Sequence, residues 1–294
     1  MTERYLAFDF GGTKVDIGIG TAAGEWLATT RFAVREAGTA EAVVERALAE
    51  AAALMGGAPV RAVGVSTMGI TRPEGVLLAP AIPGWDALRL PERFQAAFAD
   101  QPVAIENDVR AALEAEHRWG ALQGTEYAAY LNLGTGIAVS LWAAGRVWPG
   151  AHGAFGEVAY WWEPGEAGFS AGHAPFEERY GGGALDRRVH AEFPPYQSLQ
   201  EAFDRCRDPR FDAFVTDVWR ALAHRLGQAW VLLDVEAVAI GGGMAAQFAR
   251  IAPIFEAEWQ SHVPFPPRVV PSRFLGRAGL WGALAVAVRG GEAP

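Results

Sequence analysis

The sequence predicts an α/β protein built from two similar domains that face each other across a ligand cleft. Three observations lead there. A pattern of strand, glycine turn bearing threonine, and second strand occurs at Tyr5 to Ile19 and returns at Tyr127 to Trp142; self-similarity of this kind marks duplication. Short apolar runs of strand length alternate with segments whose apolar residues follow the helical period. The chain has 294 residues, and single cores stop growing near about 250–300 residues.

The elements follow in order. Tyr5 to Phe10 is an unbroken strand-length run. Gly11-Gly12 turns the chain, Val15 to Ile19 alternates as a second strand, and Trp26 to Val34 is a third after the turn at Gly24. The opening is therefore an antiparallel meander. Thr39 stands where a helix cap is needed, before Val43, Val44, Ala47, Leu48, Ala51, Leu54 and Met55 on one helical face, and Gly56-Gly57 ends that helix. Arg61 to Val65 reads as a short strand, Ser66 to Trp85 as loop, and Val103 to Glu106 as a strand feeding a helix through Trp119. Tyr127 to Leu133 and Ile137 to Trp142 are the strands of the repeat, with Gly145 turning into Val147. Pro149 to Gly183 is rich in glycine and aromatics and lacks a regular period; loops of such length in compact domains are usually functional. Phe211 to Leu233 is a strong helix with Phe214, Val215, Val218, Trp219, Leu222, Leu226 and Trp230 on its stripe. Val235 to Ile240 is a strand, Gly241-Gly242-Gly243 ends it, a helix follows from Met244, and a small apolar helix covers about Gly279 to Val288.

Composition narrows the function. A formal net charge of −9 argues against nucleic acid as a main partner, since phosphate backbones call for a basic face. Cys206 is the only cysteine, which excludes an intrachain disulfide and a cysteine-based metal site. Met1-Thr2-Glu3-Arg4 leads straight into the first strand, with no signal peptide and no stretch long enough to cross a membrane, so a cytoplasmic location is the default.

One lysine and two asparagines occur in the chain, and all three fall in short motifs: Asp9-Phe10-Gly11-Gly12-Thr13-Lys14, Glu106-Asn107-Asp108, and Asn132-Leu133-Gly134-Thr135-Gly136. A Gly-Gly-Thr-Lys turn between strands leaves backbone N–H groups free for a phosphate, with a hydroxyl and an ammonium beside them. It is neither a Walker loop nor a dinucleotide turn, because the spacing differs and a strand follows. Gly134-Thr135-Gly136 is a second such turn, and Gly241-Gly242-Gly243 lets a flat ring approach the backbone. Taken singly, each is a tight turn; in this order they suggest a nucleotide clamp. Asp9, at a strand end beside the phosphate turn, suits Mg²⁺ held through water, or simply a bond to the turn backbone. Asp108, between a strand and a helix, reads locally as an N-cap, or functionally as a general base with Asn107 beside it for a polyol.

These motifs resemble the ROK family of sugar kinases, within the actin-like ATPase (ribonuclease H-like) superfamily. The resemblance runs through Asp9-Phe10-Gly11-Gly12-Thr13-Lys14, Pro83-Gly84-Trp85, Glu106-Asn107-Asp108, Leu133-Gly134-Thr135-Gly136-Ile137, Gly156-Glu157-Val158 and Ile240-Gly241-Gly242-Gly243. It implies two actin-like domains. Residues 1–114 with about 279–294 would form a sugar- and phosphate-binding domain, and residues 115–278 a nucleotide-binding domain. It further implies ATP with Mg²⁺ as donor and a hexose or hexose-derivative hydroxyl as acceptor, in the manner of a glucokinase. Asp108 becomes the catalytic base, and Asn107, Asp108, Glu157, Tyr160, Glu177 and Gly84 line the sugar. Gly11, Gly12, Thr13, Lys14, Gly134, Thr135, Gly136, Gly242 and Gly243 hold the nucleotide, and Asp9 holds Mg²⁺ through water. A homodimer or higher homo-oligomer is implied, with no nucleic-acid or membrane partner.

Two departures stand out. Tyr160 occupies the position of a family histidine, and Gly168 to Glu177 lacks the cysteines that bind the family's structural zinc, so no zinc is expected. Trp161, Trp162, Phe169 and Phe176 are the expected filling of that space. The alternative function is a non-catalytic sugar-binding or sensor protein derived from a kinase; inorganic polyphosphate is an alternative donor.

Overall fold

A computed structural model of the chain describes residues 2–79, 81–166, 168–170 and 172–292. The contacts group into two compact units. The first holds the chain up to Trp119, Pro149–Phe155 and the residues from Arg277 onward; the second holds Gly120–Trp148 and Gly156–Gly276. The helix that spans the expected boundary at 114/115 thus stays whole in the first unit, and so does the loop 149–155. Ala167 and Ala171, inside the long aromatic loop, and the last two residues of the expected 279–294 segment lie outside the described residues.

In the first unit, β1 (Tyr5–Phe10), β2 (Lys14–Gly20) and β3 (Trp26–Ala33) form the meander. The helix α1 (Ala40–Met55) follows, with Thr39 Oγ1 accepting from the Ala42 N–H, the cap read from sequence. β4 (Ala62–Thr67) then runs parallel to β1. The segment Ser66 to Trp85, read as loop, contains a small hairpin of β5 (Ile70–Arg72) and β6 (Gly75–Leu77). After α2 (Leu90–Ala97) come β7 (Val103–Asn107) and α3 (Asp108–Trp119). The sheet order is β3-β2-β1-β4-β7. β1 and β4 are covered on both faces, which is why they read as continuous apolar runs rather than alternating ones.

The second unit repeats the plan. β8 (Ala128–Leu133), β9 (Ile137–Ala143) and β10 (Arg146–Val147) are the second meander. The short helices α4 (Pro175–Tyr180), α5 (Gly182–Glu192) and α6 (Leu199–Arg205) precede the long α7 (Pro209–Leu233). Then come β11 (Ala237–Gly241), a 3-10 turn over Gly243–Gln247 at the start of the helix expected from Met244, α8 (Phe248–His262) and β12 (Arg268–Pro271). The order β10-β9-β8-β11-β12, with two antiparallel pairings followed by two parallel ones, is that of the first sheet strand for strand. The duplication read from two glycine turns therefore extends through five strands. α7 and α8 pack closely: the nearly buried Trp259 donates its indole N–H to Ala223 O at 2.8 Å.

Finally α9 (Ala278–Glu292) returns to the first unit. Its Leu280, Ala283, Leu284, Ala287 and Val288 join Tyr5, Ala7 and Ala62 of the sheet in one buried cluster. No helix among the described residues is long and apolar enough to cross a membrane.

Candidate active site

Register sets the first cluster. Asp9 lies opposite Asp16 on β2 and beside Ser66 on β4. Ser66 Oγ donates to Asp9 Oδ1 at 3.0 Å. The first turn of α9 presses on the same carboxylate, since a Cβ on Gly279 would collide with it. Burial, and then the negative charge of Asp108, push the Asp9 carboxyl up to about 7. The turn that follows is closed by Gly11 N–H to Lys14 O at 3.1 Å. Thr13 is exposed, and Lys14 Nζ stands 3.9 Å from Asp16, which Arg31 also pairs at 2.6 Å. Gly84 sits in an exposed turn anchored by Trp85, whose ring is fully buried and whose indole N–H reaches Thr67 Oγ1 at 2.9 Å.

The second cluster is the corner between β7 and α3. The sequence allowed Asp108 to be the cap of α3; the cap is Asn107. Its Oδ1 accepts from the N–H groups of Val109 at 2.9 Å and Arg110 at 3.2 Å. Its amide donates to Gly69 O at 2.9 Å and to Asp108 Oδ1 at 3.1 Å. Both donors and both lone pairs are thereby engaged within the protein, and one of these bonds holds Asp108. Asp108 Oδ1 accepts a further bond from Val109 N–H at 2.9 Å. Burial pushes this carboxyl up to about 6, against the opposing pull of those hydrogen bonds and of Arg110. Beneath lies a network the sequence reading missed: buried Arg110 donates to Glu106 Oε1 (2.6 Å), Gly153 O (2.6 Å) and Thr71 Oγ1 (2.8 Å). Glu106 is close in sequence, but no sequence signal joined it and Arg110 to Thr71 and Gly153, which come from a hairpin and a loop distant in the chain.

In the second unit, Gly134 N–H bonds Gly136 O at 3.0 Å, and the main-chain N–H groups of Gly182 and Gly183 donate to Gly134 O and Thr135 O at 2.9 and 3.2 Å. The start of α5 thus seats the glycine turn. Glu177, expected at the sugar, lies with its carboxylate on this turn. Its Oε2 accepts from Ile137 N–H at 3.2 Å, and a Cβ on Gly136 would collide with it. Burial raises the Glu177 carboxyl above its ordinary range. A cavity of about 270 Å³ joins Gly134 and Thr135 to Gly243, lined also by the apolar Phe203 and Met244 and by Asp186. Gly242, between β11 and Gly243, completes the third glycine turn. Asp186 and Phe203 were not singled out from sequence, because α5 and α6 were not anticipated, and Met244 was read only as the start of a helix.

Glu157 precedes a 3-10 turn over Val158–Tyr160. Burial raises the Tyr160 phenol, and the Glu157 and Glu177 charges raise it further, so these three expected residues do gather. Residues 156–183 contain no cysteine, and the thiolates of a structural zinc have no counterpart there. The aromatic filling is only half as expected. Phe176 is buried and meets Trp161 edge-on with centroids 5.2 Å apart, whereas Trp162 is 69% and Phe169 74% exposed. Those two, with Tyr160, His173 and Pro175, border a largely apolar cavity of about 370 Å³.

Comparison with known proteins fits this geometry. The ROK family profile matches residues 5–289. A kanosamine kinase of Amycolatopsis mediterranei is 29% identical, with 100% of this chain and 99% of that protein aligned. A beta-glucoside kinase of Listeria monocytogenes is 27% identical over 88% of this chain and 87% of its own. A solved ROK family glucokinase from Streptomyces griseus, in complex with glucose and AMPPNP, superposes with a TM-score of 0.79 at 26% identity, covering 97% of this chain and 99% of that one. The doubled five-strand sheet is the actin-like ATPase fold of these kinases. The chain therefore belongs to the ROK family.

Proposed function

We propose that this protein transfers the γ-phosphoryl group of ATP to a hydroxyl of a hexose or hexose derivative, with Asp108 as general base. The observation that carries this reading is the Asp108 carboxylate itself: half-buried, oriented through Oδ1 by Asn107 and Val109 N–H, and raised to about 6, so that it is ionised yet basic near neutral pH. The hydroxyl proton passes to Asp108 as the sugar oxygen bonds to the γ-phosphorus. The bond from that phosphorus to the β–γ bridging oxygen breaks, and ADP leaves. The transition state is loose, so positioning and charge neutralisation outweigh the base.

The cavity that joins Gly134, Thr135 and Gly243 suits a nucleotide, with apolar walls from Phe203 and Met244 for the base and main-chain groups for the phosphates. Gly11, Gly12, Thr13 and Lys14 are assigned to the phosphates from the first unit. Asp9, a half-buried carboxylate repelled by Asp108, fits a role in holding Mg²⁺ through water; that ion would offset the phosphate charge. Glu157 and Tyr160 are assigned to the sugar. Glu177 is assigned to shaping the Gly134–Gly136 turn, and Asn107 to positioning Asp108.

The test is a coupled ADP-release screen with Mg-ATP over hexoses, aminohexoses, N-acetylhexosamines and β-glucosides. Turnover of at least one sugar, abolished in Asp108→Asn, is the expected outcome. Calorimetric sugar binding with no ADP release from any sugar overturns the proposal in favour of a sensor, the reading that the Tyr160 replacement favours.

A further inference from the structure

Away from the residues assigned to phosphoryl transfer, three side chains of α7 and α8 converge. His224 comes from α7. Glu258 and His262 lie four residues apart on α8 and so share one helical face. One ligand-capable atom from each lies within 4.8 Å of the others. Glu258 Oε1 is 2.9 Å from His224 Nδ1 and 3.4 Å from His262 Nδ1. Two ligands of a tetrahedral Zn²⁺, with bonds of about 2.0–2.1 Å, are separated by about 3.3 Å. The carboxylate-to-imidazole spacings are thus close to those of a coordination shell. His262 Nδ1 also lies 2.9 Å from the Glu258 main-chain oxygen. That contact offers a second arrangement, in which the carbonyl holds Nδ1–H and Nε2 takes the metal, a common support for a ligating imidazole.

The scaffold beneath is fixed. The Trp259 indole bonds the Ala223 carbonyl, and these two residues are the chain neighbours of Glu258 and His224. Gly227, one turn past His224, lets α7 lie close to that indole; a Cβ there would stand 3.2 Å from Trp259 Cδ1. Ligands on packed helices need little reorganisation to bind. The burial is graded in the sense that a metal needs: Glu258 is 15% exposed at the base, while His224 and His262 are 52% and 57% exposed at the rim, where water can complete the shell.

We propose that His224, Glu258 and His262 form a surface site for a divalent transition metal, Zn²⁺ foremost, that clamps α7 to α8. Two imidazoles and one carboxylate suit Zn²⁺ better than Mg²⁺, which takes oxygen ligands. The site departs from the expectation that the chain takes no zinc, because that expectation rested on cysteines alone.

The test uses the full-length protein stripped of metal by chelator. Zn²⁺ alone is titrated by calorimetry and followed by thermal melting, with Co²⁺ as a spectroscopic probe. The expected result is one equivalent per chain, a raised melting temperature, and visible Co²⁺ bands of four- or five-coordinate intensity. His224→Ala and His262→Ala each weaken binding by at least about tenfold, and His152→Ala, at an exposed loop position of the first unit, leaves it unchanged. Metal-free melting reports whether each variant folds; His224→Gln and His262→Gln replace any alanine variant that does not. Absence of saturable Zn²⁺ binding in the parent protein, or unchanged affinity in a folded His224/His262 double variant, overturns the proposal.

Discussion

Replacing Asn107 by alanine separates the two roles open to that residue. If Asn107 serves to hold Asp108, its loss acts first on acid–base behaviour. The hydrogen bond from Asn107 Nδ2 to Asp108 Oδ1, 3.1 Å long, opposes the burial that raises the carboxyl to about 6. A hydrogen bond to a charged group contributes about 1.5–3 kcal/mol, and one pKa unit corresponds to 1.36 kcal/mol. Removing it therefore lifts Asp108 by about one to two units. A general base works only when ionised, so kcat/KM climbs with pH through its pKa. The parent profile should rise around pH 6, and the variant profile about one to two pH units higher, with activity recovered at alkaline pH and the sugar KM little changed. Stability falls as well. The cap bonds to Val109 and Arg110 are lost, which costs about 0.5–2 kcal/mol, read by urea denaturation. The assay is the pH dependence of ADP release with the sugar found in the screen. An unmoved inflection together with a raised sugar KM would refute the positioning role and return Asn107 to the sugar.

Four further outcomes follow from the geometry. Asp108→Asn should keep sugar binding by calorimetry and lose about 10²–10⁴-fold in turnover. The same variant should flatten the pH dependence of stability: a half-buried carboxyl raised to about 6 favours the folded state most below its ordinary pKa of about 3.9, and that advantage is lost as pH rises through 6. Melting curves between pH 4 and 7 that run parallel for variant and parent would contradict this. Gly136→Ala should weaken nucleotide binding without changing sugar binding, because the new methyl displaces the Glu177 carboxylate from Ile137 N–H; equal effects on both ligands would count against it. Phe176→Ala should cost about 3–5 kcal/mol in chemical denaturation, whereas a Trp162→Ala, Phe169→Ala double variant should stay within about 0.5 kcal/mol per site. Equal losses would mean that the exposed pair packs in solution.

Much of the frame was legible because local chemistry and global fold agree in it. The limits of β1 are those of the apolar run Tyr5–Phe10, and Thr39 caps α1 as its position suggests. The duplicated sheets were visible in two strand–turn–strand units, since each turn needs glycine whatever surrounds it. Short elements were not legible. α5 begins on two glycines, and α2 carries only Leu90 and Phe94 as buried residues, so neither shows a period long enough to read. At the candidate site, the choice between Asn107 and Asp108 as cap could not be made, because adjacent Asn and Asp are equally good acceptors and only Gly69 O and the turn of the chain select one. The contact of Glu177 with the glycine turn was not legible for a related reason. Its place depends on Gly136 and α4, and a carboxylate's position in sequence does not say which turn it will lie upon.

The helix α9 gives the first unit an unusual history. Its apolar side chains cover Tyr5, Ala7 and Ala62, yet the ribosome makes residues 277 onward only after every residue of the second unit. The nascent amino-terminal sheet must wait with that face bare, while the later unit already has all its parts. Maturation then runs against the direction of synthesis, and a chain stalled or clipped shortly before Arg277 carries an uncovered sticky face of the kind that chaperones and proteases recognise.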